Sequence, residues 1–99
     1  MIYAQQGGVL ELLPDSSSVP EPITGILWKH GPNKAAEWDE VLGPDVDYYL
    51  TYRDRTELDK QTGRLVVNNT NKEDSGVYSV EVNGRVQKKM YNVTVISKY

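Results

Sequence analysis

The 99-residue chain contains no cysteine and one histidine, His30. The lack of cysteine excludes disulfide crosslinks, thiol nucleophiles and thiolate metal sites, and taken alone it favours a reducing compartment. A single histidine leaves no multi-histidine metal cage and admits a Ser/His/acid triad only through His30. That residue reads as a solvent-exposed loop histidine, where a strand runs into the turn at Gly31. No apolar run approaches the roughly 18 residues needed to span a bilayer. The start Met1-Ile2-Tyr3-Ala4-Gln5 has neither the basic end nor the apolar core of a secretion signal, so a piece of a larger protein is expected. An excess of positive charge is missing too: the formal net charge is −3, which argues against a nucleic-acid partner or an anionic lipid surface.

What is present is ordinary for a folded domain, with 38% hydrophobic and 25% charged residues, far from the composition of chains that stay disordered. The length suits one domain, residues 1–99, able to bury about 60–70% of the surface its unfolded chain exposes. Turn signals punctuate the sequence between short β-rich runs, the pattern of an all-β sandwich or barrel. They fall at Pro14-Asp15-Ser16, His30-Gly31-Pro32-Asn33, Gly43-Pro44-Asp45, Gln61-Thr62-Gly63 and Asn83-Gly84. The β-rich runs between them cover residues 9–13, 23–29, 35–41, 47–52, 64–67, 77–82 and 85–96, none with a sustained helical period. Asn83-Gly84 predicts a type I′ hairpin, because both residues tolerate positive φ. Asp15-Ser16-Ser17-Ser18 and Val19-Pro20-Glu21-Pro22 read as one polar, proline-stiffened loop.

Alternation along a strand assigns faces. Ile26 and Trp28 share the inner face and Leu27 and Lys29 the outer. Tyr78, Val80 and Val82 point in, as do Tyr91, Val93 and Val95, leaving Met90, Asn92 and Thr94 out. Ala36 and Trp38 point in and Glu37 and Asp39 out, unless a bulge reverses the assignment and makes Trp38 an exposed anchor. Glu11 interrupts the alternation expected of residues 9–13.

Glu73-Asp74-Ser75-Gly76-Val77-Tyr78-Ser79-Val80 resembles the Asp-x-Gly-x-Tyr-x-Cys signature of immunoglobulin domains, with Val80 in the place of the second cysteine. Trp28 stands where the buried sandwich tryptophan would be, and Leu12 or Leu13 where the first cysteine would be. The resemblance implies a tyrosine corner at Tyr78 and an ion pair between Asp74 and Arg55. The strands between Trp28 and Arg55 make the chain similar to variable-type rather than constant-type domains. The implied fold is an immunoglobulin-like V-set β-sandwich of two antiparallel sheets with Greek-key connections and no disulfide, its aliphatic residues filling the space over Trp28.

Cysteine-free V-set domains are found in the lymphocyte adhesion and signalling-lymphocyte-activation-molecule (SLAM) family and in the carcinoembryonic antigen family. Ala35-Ala36-Glu37-Trp38-Asp39 is similar to a C′ strand of the first, and residues 55–65 resemble its Arg-x-x-Leu-Asp-x-x-Ser/Thr-Gly-x-Leu run across strands D and E. Within that family, Ile26-Leu27-Trp28-Lys29 and residues 9–14 resemble the adhesion ligand of the T-cell adhesion receptor.

The resemblance implies an extracellular, cell-surface module that binds another immunoglobulin-superfamily domain through its front sheet, strands G, F, C, C′ and C″. Outward residues expected there are Lys29 on C, Lys34, Glu37 and Asp39 on C′, Tyr49 on C″, Glu81 on F, and Lys88 and Met90 on G. Tyr49 is the expected packed anchor, because aromatic residues dominate interface hot spots. Mixed charge on one face suits selective, modest-affinity docking, heterophilic or homophilic through a weak homodimer. Asn68-Asn69-Thr70 and Asn92-Val93-Thr94 are glycosylation acceptor patterns placing glycans on Asn68 and Asn92. Two other readings stand beside this one, a carcinoembryonic-antigen-like homophilic domain and an intracellular structural immunoglobulin module. No enzyme, cofactor or metal site is expected: Glu37, Asp39, Glu40, Asp45 and Asp47 form no marked acid–base pair, and Asp45-Val46-Asp47 lacks the glycine and distal glutamate of an EF-hand.

Overall fold

The computed structural model describes residues 1–15, 17 and 19–97; the expectations for Ser16 and Ser18 lie outside the described residues. The described residues form ten strands: β1 (Ile2–Gln5), β2 (Leu10–Leu12), β3 (Gly25–His30), β4 (Asn33–Asp39), β5 (Asp47–Tyr48), β6 (Thr56–Leu58), β7 (Leu65–Val67), β8 (Gly76–Val82), β9 (Arg85–Val86) and β10 (Tyr91–Ile96). The front sheet runs β1-β10-β8-β3-β4-β5, with β9 paired to β8; the back sheet runs β2-β7-β6. All pairings are antiparallel except β1 with β10, which is parallel.

The core follows from period-2 patterning. Ile26, Trp28, Tyr78, Val80, Val82, Tyr91, Val93 and Val95 of the front sheet meet Leu10, Leu12, Leu58, Leu65 and Val67 of the back sheet in one cluster. Trp28 is fully buried; its indole N–H donates to the Gly63 carbonyl at 2.8 Å, and its ring meets Tyr91 edge-on with centroids 5.3 Å apart. Leu12 is 1% exposed and Leu13 51%, so of the two it is Leu12 that joins Val80 in the core cluster, as a residue in the first-cysteine position would. Glu11 does not break the strand: it is the outward residue of a regular in-out-in β2, 3.9 Å from Arg64.

Sequence-read boundaries shift, among them the run 35–41, which is β4 over Asn33–Asp39 followed by a 3₁₀ turn over Glu40–Leu42. An unforeseen strand, β1, lies along the β10 edge. The run 85–96 splits into β9 and β10, and β5 stops after two residues, giving way to a 3₁₀ turn at Leu50–Tyr52 with Leu50 at φ 55°. The D strand, implied only by the resemblance, is β6. A register shift sits between Trp28 and Lys29 opposite β4, so Ala35 and Ala36 are both buried. Beyond it alternation resumes, and Trp38, paired with the inward Ile26, lies on the inner face at the sandwich rim. There Lys60 sits 5.4 Å from its ring centroid, over an open groove of about 640 Å³ lined also by Pro22, Ile23 and Gln61. The Asn83-Gly84 turn forms with φ of 52° and 82°, as a type I′ hairpin requires.

Candidate functional site

The outer face of the front sheet is organised by register, since residues directly opposite each other on paired strands share a face. Leu27 on β3 faces Glu37 on β4 and Glu81 on β8; Glu37 in turn faces Asp47 on β5, and Glu81 faces Val86 on β9. One row across five strands therefore reads Asp47, Glu37, Leu27, Glu81, Val86. Two residues further along β3, about 7 Å away, a second row reads Lys34, Lys29, Ser79. The mixed charge expected on this face is thus sorted into an acidic row and a basic row. Leu27, at the centre of the acidic row, is outward by alternation but is not among the docking residues that the sequence suggests. Only the cross-strand register reveals it between two carboxylates.

Three candidates lock together. Glu37 Oε1 accepts from Lys34 Nζ at 3.0 Å and from the Tyr49 hydroxyl at 2.9 Å, and Lys34 Nζ lies 5.7 Å from the Tyr49 ring centroid. Partial burial alone would raise the Glu37 carboxyl, but the hydrogen bonds from Lys34 and Tyr49 and the Lys34 charge outweigh it and hold it below its ordinary value. The same contact raises Lys34 and Tyr49 above theirs. Tyr49 is placed one residue past β5 rather than on it, fixed by its own backbone N–H to the Ala35 carbonyl at 3.0 Å.

The remaining candidates are placed differently. Asp39 is exposed at the end of β4, but its carboxylate accepts from the Val41 N–H at 3.0 Å and caps the 3₁₀ turn Glu40–Leu42. Lys88 is exposed in the segment between β9 and β10, and Met90, 53% exposed, directly precedes β10; neither is on a strand. Asn92 points outward from β10 opposite Val77. Asn68 is exposed just past β7, while Thr70 of the same triplet is buried with its hydroxyl on the Gln5 carbonyl at 2.8 Å.

The supports implied by the resemblance are present. Asp74, 2% exposed at its side chain, receives Arg55 through two bonds of 2.7 and 2.8 Å and the Asn71 N–H at 2.9 Å. Tyr78 donates to the Asp74 carbonyl at 2.7 Å, closing the tyrosine corner. His30 is not a loop histidine: it ends β3, stacked on Tyr78 at 4.5 Å, with Nε2 2.8 Å from the Ser75 carbonyl and Nδ1 2.8 Å from the Tyr52 hydroxyl. Among the described residues no helix is long and apolar enough to cross a membrane, and no group of three or more His, Cys, Asp or Glu is placed to hold a metal ion.

No protein-family model matches the sequence, and no curated protein is similar enough to count as a relative. Solved structures do match in three dimensions. The first immunoglobulin-like domain of human CD48 superposes with a TM-score of 0.79 at 24% identity, covering 100% of this chain and 84% of that one. The CD2-binding domain of CD58, lymphocyte function-associated antigen 3, gives 0.74 at 20%, covering 97% of this chain and 52% of that one. This chain therefore spans about half of the CD58 chain. CD84, of the SLAM family, gives 0.72 at 20%, covering 98% and 96%. A chain from the complex of a mouse coronavirus receptor-binding domain with its murine receptor gives 0.76 at 16%, covering 96% and 50%. In fold the chain is an immunoglobulin V-like sandwich without cysteine, resembling the domains of CD48, CD58 and CD84.

Proposed function

We propose that this domain is a cell-surface recognition module that docks another immunoglobulin-like domain through its front sheet, with a second copy of itself as the partner its charge pattern fits. The observation that carries the reading is the sorting of charge into two adjacent parallel rows. A two-fold axis lying in the interface, parallel to the rows and midway between them, sets Lys29 of one copy over Leu27 of the other, between Glu37 and Glu81. It also sets Lys34 over Glu37. Such pairing gives selectivity and on-rate with modest affinity, and the clamp on Tyr49 presents a preorganised aromatic anchor at the edge of the patch. The CD58 domain it resembles is described as CD2-binding, which makes a protein the class of ligand expected here.

An extracellular setting goes with this reading, with glycans on Asn68 and Asn92. The Asn92 glycan would stand two strands from β3, over Val77 and the β1/β10 edge, leaving both charge rows open. Catalysis has no part in it.

Sedimentation velocity over a wide concentration range tests the self-docking. A weak, concentration-dependent dimer is expected, reduced in Lys29→Glu and in Glu81→Lys alone and recovered in part when the two variants are mixed. A strict monomer at the highest concentration, indifferent to both changes, overturns self-docking and directs the reading to a different partner chain.

A further inference from the structure

Five of the eleven large apolar side chains that stand exposed among the described residues, Met1, Tyr3, Val77, Met90 and Ile96, gather at one corner of the front sheet, so this corner is far more apolar than the rest of the surface. It is the outer face of β1, β10 and the start of β8. Asn92 pairs with Val77 on β8. Thr94, two residues on, pairs with Tyr3 on β1 and donates its hydroxyl to the Met1 sulfur at 3.6 Å. Ile96 pairs with Gln5 one outward step further along, and Met90 lies two residues before Asn92. None of these side chains carries a charge, in contrast to the acidic and basic rows centred on β3 of the same sheet. β1 is also an edge strand, paired only with β10. An uncharged apolar patch beside an open edge is a surface through which sheets associate unless something covers it.

We propose that an N-linked glycan on Asn92 is that cover: its first sugars lie on Val77, Tyr3 and Met1 and close this corner to other proteins. The inference rests on the extracellular reading given above and assigns the glycan a task within it. Asn92 supplies the attachment, pointing outward from β10, with Thr94 completing the acceptor pattern. In the transfer, Asn92 Nδ2 gives up one proton and bonds to the anomeric carbon of a lipid-diphosphate-linked oligosaccharide. The bond from that carbon to the diphosphate oxygen breaks, and the lipid diphosphate leaves. Neighbouring strands lie about 4.8 Å apart and same-face residues about 7 Å along a strand, so Val77 and Tyr3 are both within reach of the first sugars. A neutral sugar also matches the chemistry of the corner. Its C–H faces pack on apolar side chains while its hydroxyls stay in water, and it needs no charged partner where the surface offers none. A glycan rooted among these side chains also obstructs any protein that would seat on them, which leaves the charge rows as the open part of the sheet.

The test secretes the domain from animal cells as wild type, Asn92→Gln and Asn68→Gln, and also makes it in bacteria, without sugar. Glycopeptide mass spectrometry is expected to find a glycan on Asn92. Hydroxyl-radical labelling of Tyr3 and Met1 is scaled to that of Leu42, exposed at the turn that follows β4. It is expected to be several-fold lower in wild type and in Asn68→Gln than in Asn92→Gln or the bacterial protein. Asn92 bare while Asn68 carries sugar overturns the cover and leaves the extracellular reading standing; both asparagines bare overturns the cover and the glycan assignments together. A glycan on Asn92 with Tyr3 and Met1 labelled as in Asn92→Gln also overturns the cover, and the corner is then open to a protein neighbour. The bacterial protein supplies the same comparison if Asn92→Gln fails to fold, and docking through the charge rows is judged separately by Lys29→Glu.

Discussion

Asp74 is a charged residue that the fold has almost sealed from water, and its oxygens are all engaged, by Arg55 and by the Asn71 N–H. Breaking such a pair by removing one partner leaves the other charge buried and uncompensated, at a cost of about 3–5 kcal/mol. Arg55→Ala and Asp74→Asn are each expected to lose that much in urea unfolding, and a loss below about 1 kcal/mol in both would contradict the assignment of this pair as structural. Leu12 and Leu13 make a sharper comparison because chemistry and chain position are nearly the same. Leu12→Ala empties core volume and should cost about 2–5 kcal/mol, whereas Leu13→Ala, at a side chain 51% exposed, should fall within about 0.5 kcal/mol. Equal costs would mean that β2 is registered one residue away from the position described. At this scale the sequence was informative where burial came from alternation, and silent where a role depended on distant partners. His30 reads as a loop residue because its hydrogen-bond partners, Tyr52 and Ser75, are 22 and 45 positions away.

The elements show the same division. β3, β8 and β10 carry aromatic and β-branched residues at every second position, so their inner faces were legible from the chain alone. β1 was not, because only Ala4 among its four residues is buried, and one small side chain makes no periodic signal. Lys88 reads as a strand residue because nothing in the run 85–96 marks the loss of pairing between β9 and β10. Asp39 has the outward position expected of it, yet its carboxylate is committed to capping a turn. Around β4 the electrostatics give a pH expectation. Glu37 is held below its ordinary value of 4.5, so the stabilisation from its contacts with Lys34 and Tyr49 is fully present above about that pH and is lost as pH falls through the lower folded value. A carbon-13 titration of the Glu37 carboxyl should show a midpoint below 4.5, with the Tyr49 ring resonances moving at the same midpoint in wild type and not in Glu37→Gln. A midpoint above the ordinary value would mean that the clamp does not form.

At the level of the whole molecule, a V-like sandwich without its intersheet crosslink forgoes a term of about 2–5 kcal/mol in a small domain. The described core holds the sheets by Trp28, Tyr91 and the aliphatic residues that face them, with Leu12 and Val80 in the positions where cysteines would stand. Fold class was legible because its signature residues lie within short segments around Trp28 and from Arg55 to Val80. The sorting of the outer face into rows was not, since it arises from pairing β5, β4, β3, β8 and β9 side by side, in an order the chain does not follow. The central claim is that this face, and not the back sheet, carries recognition. It is tested most directly by measuring the binding of a tetramerised domain to a panel of leukocytes and to immobilised domain, comparing wild type with Lys29→Glu, Glu81→Lys and the back-sheet change Glu57→Lys on β6. Binding abolished by either front-sheet reversal and retained in Glu57→Lys is the predicted result; binding that survives both front-sheet reversals and is lost in Glu57→Lys would contradict the account.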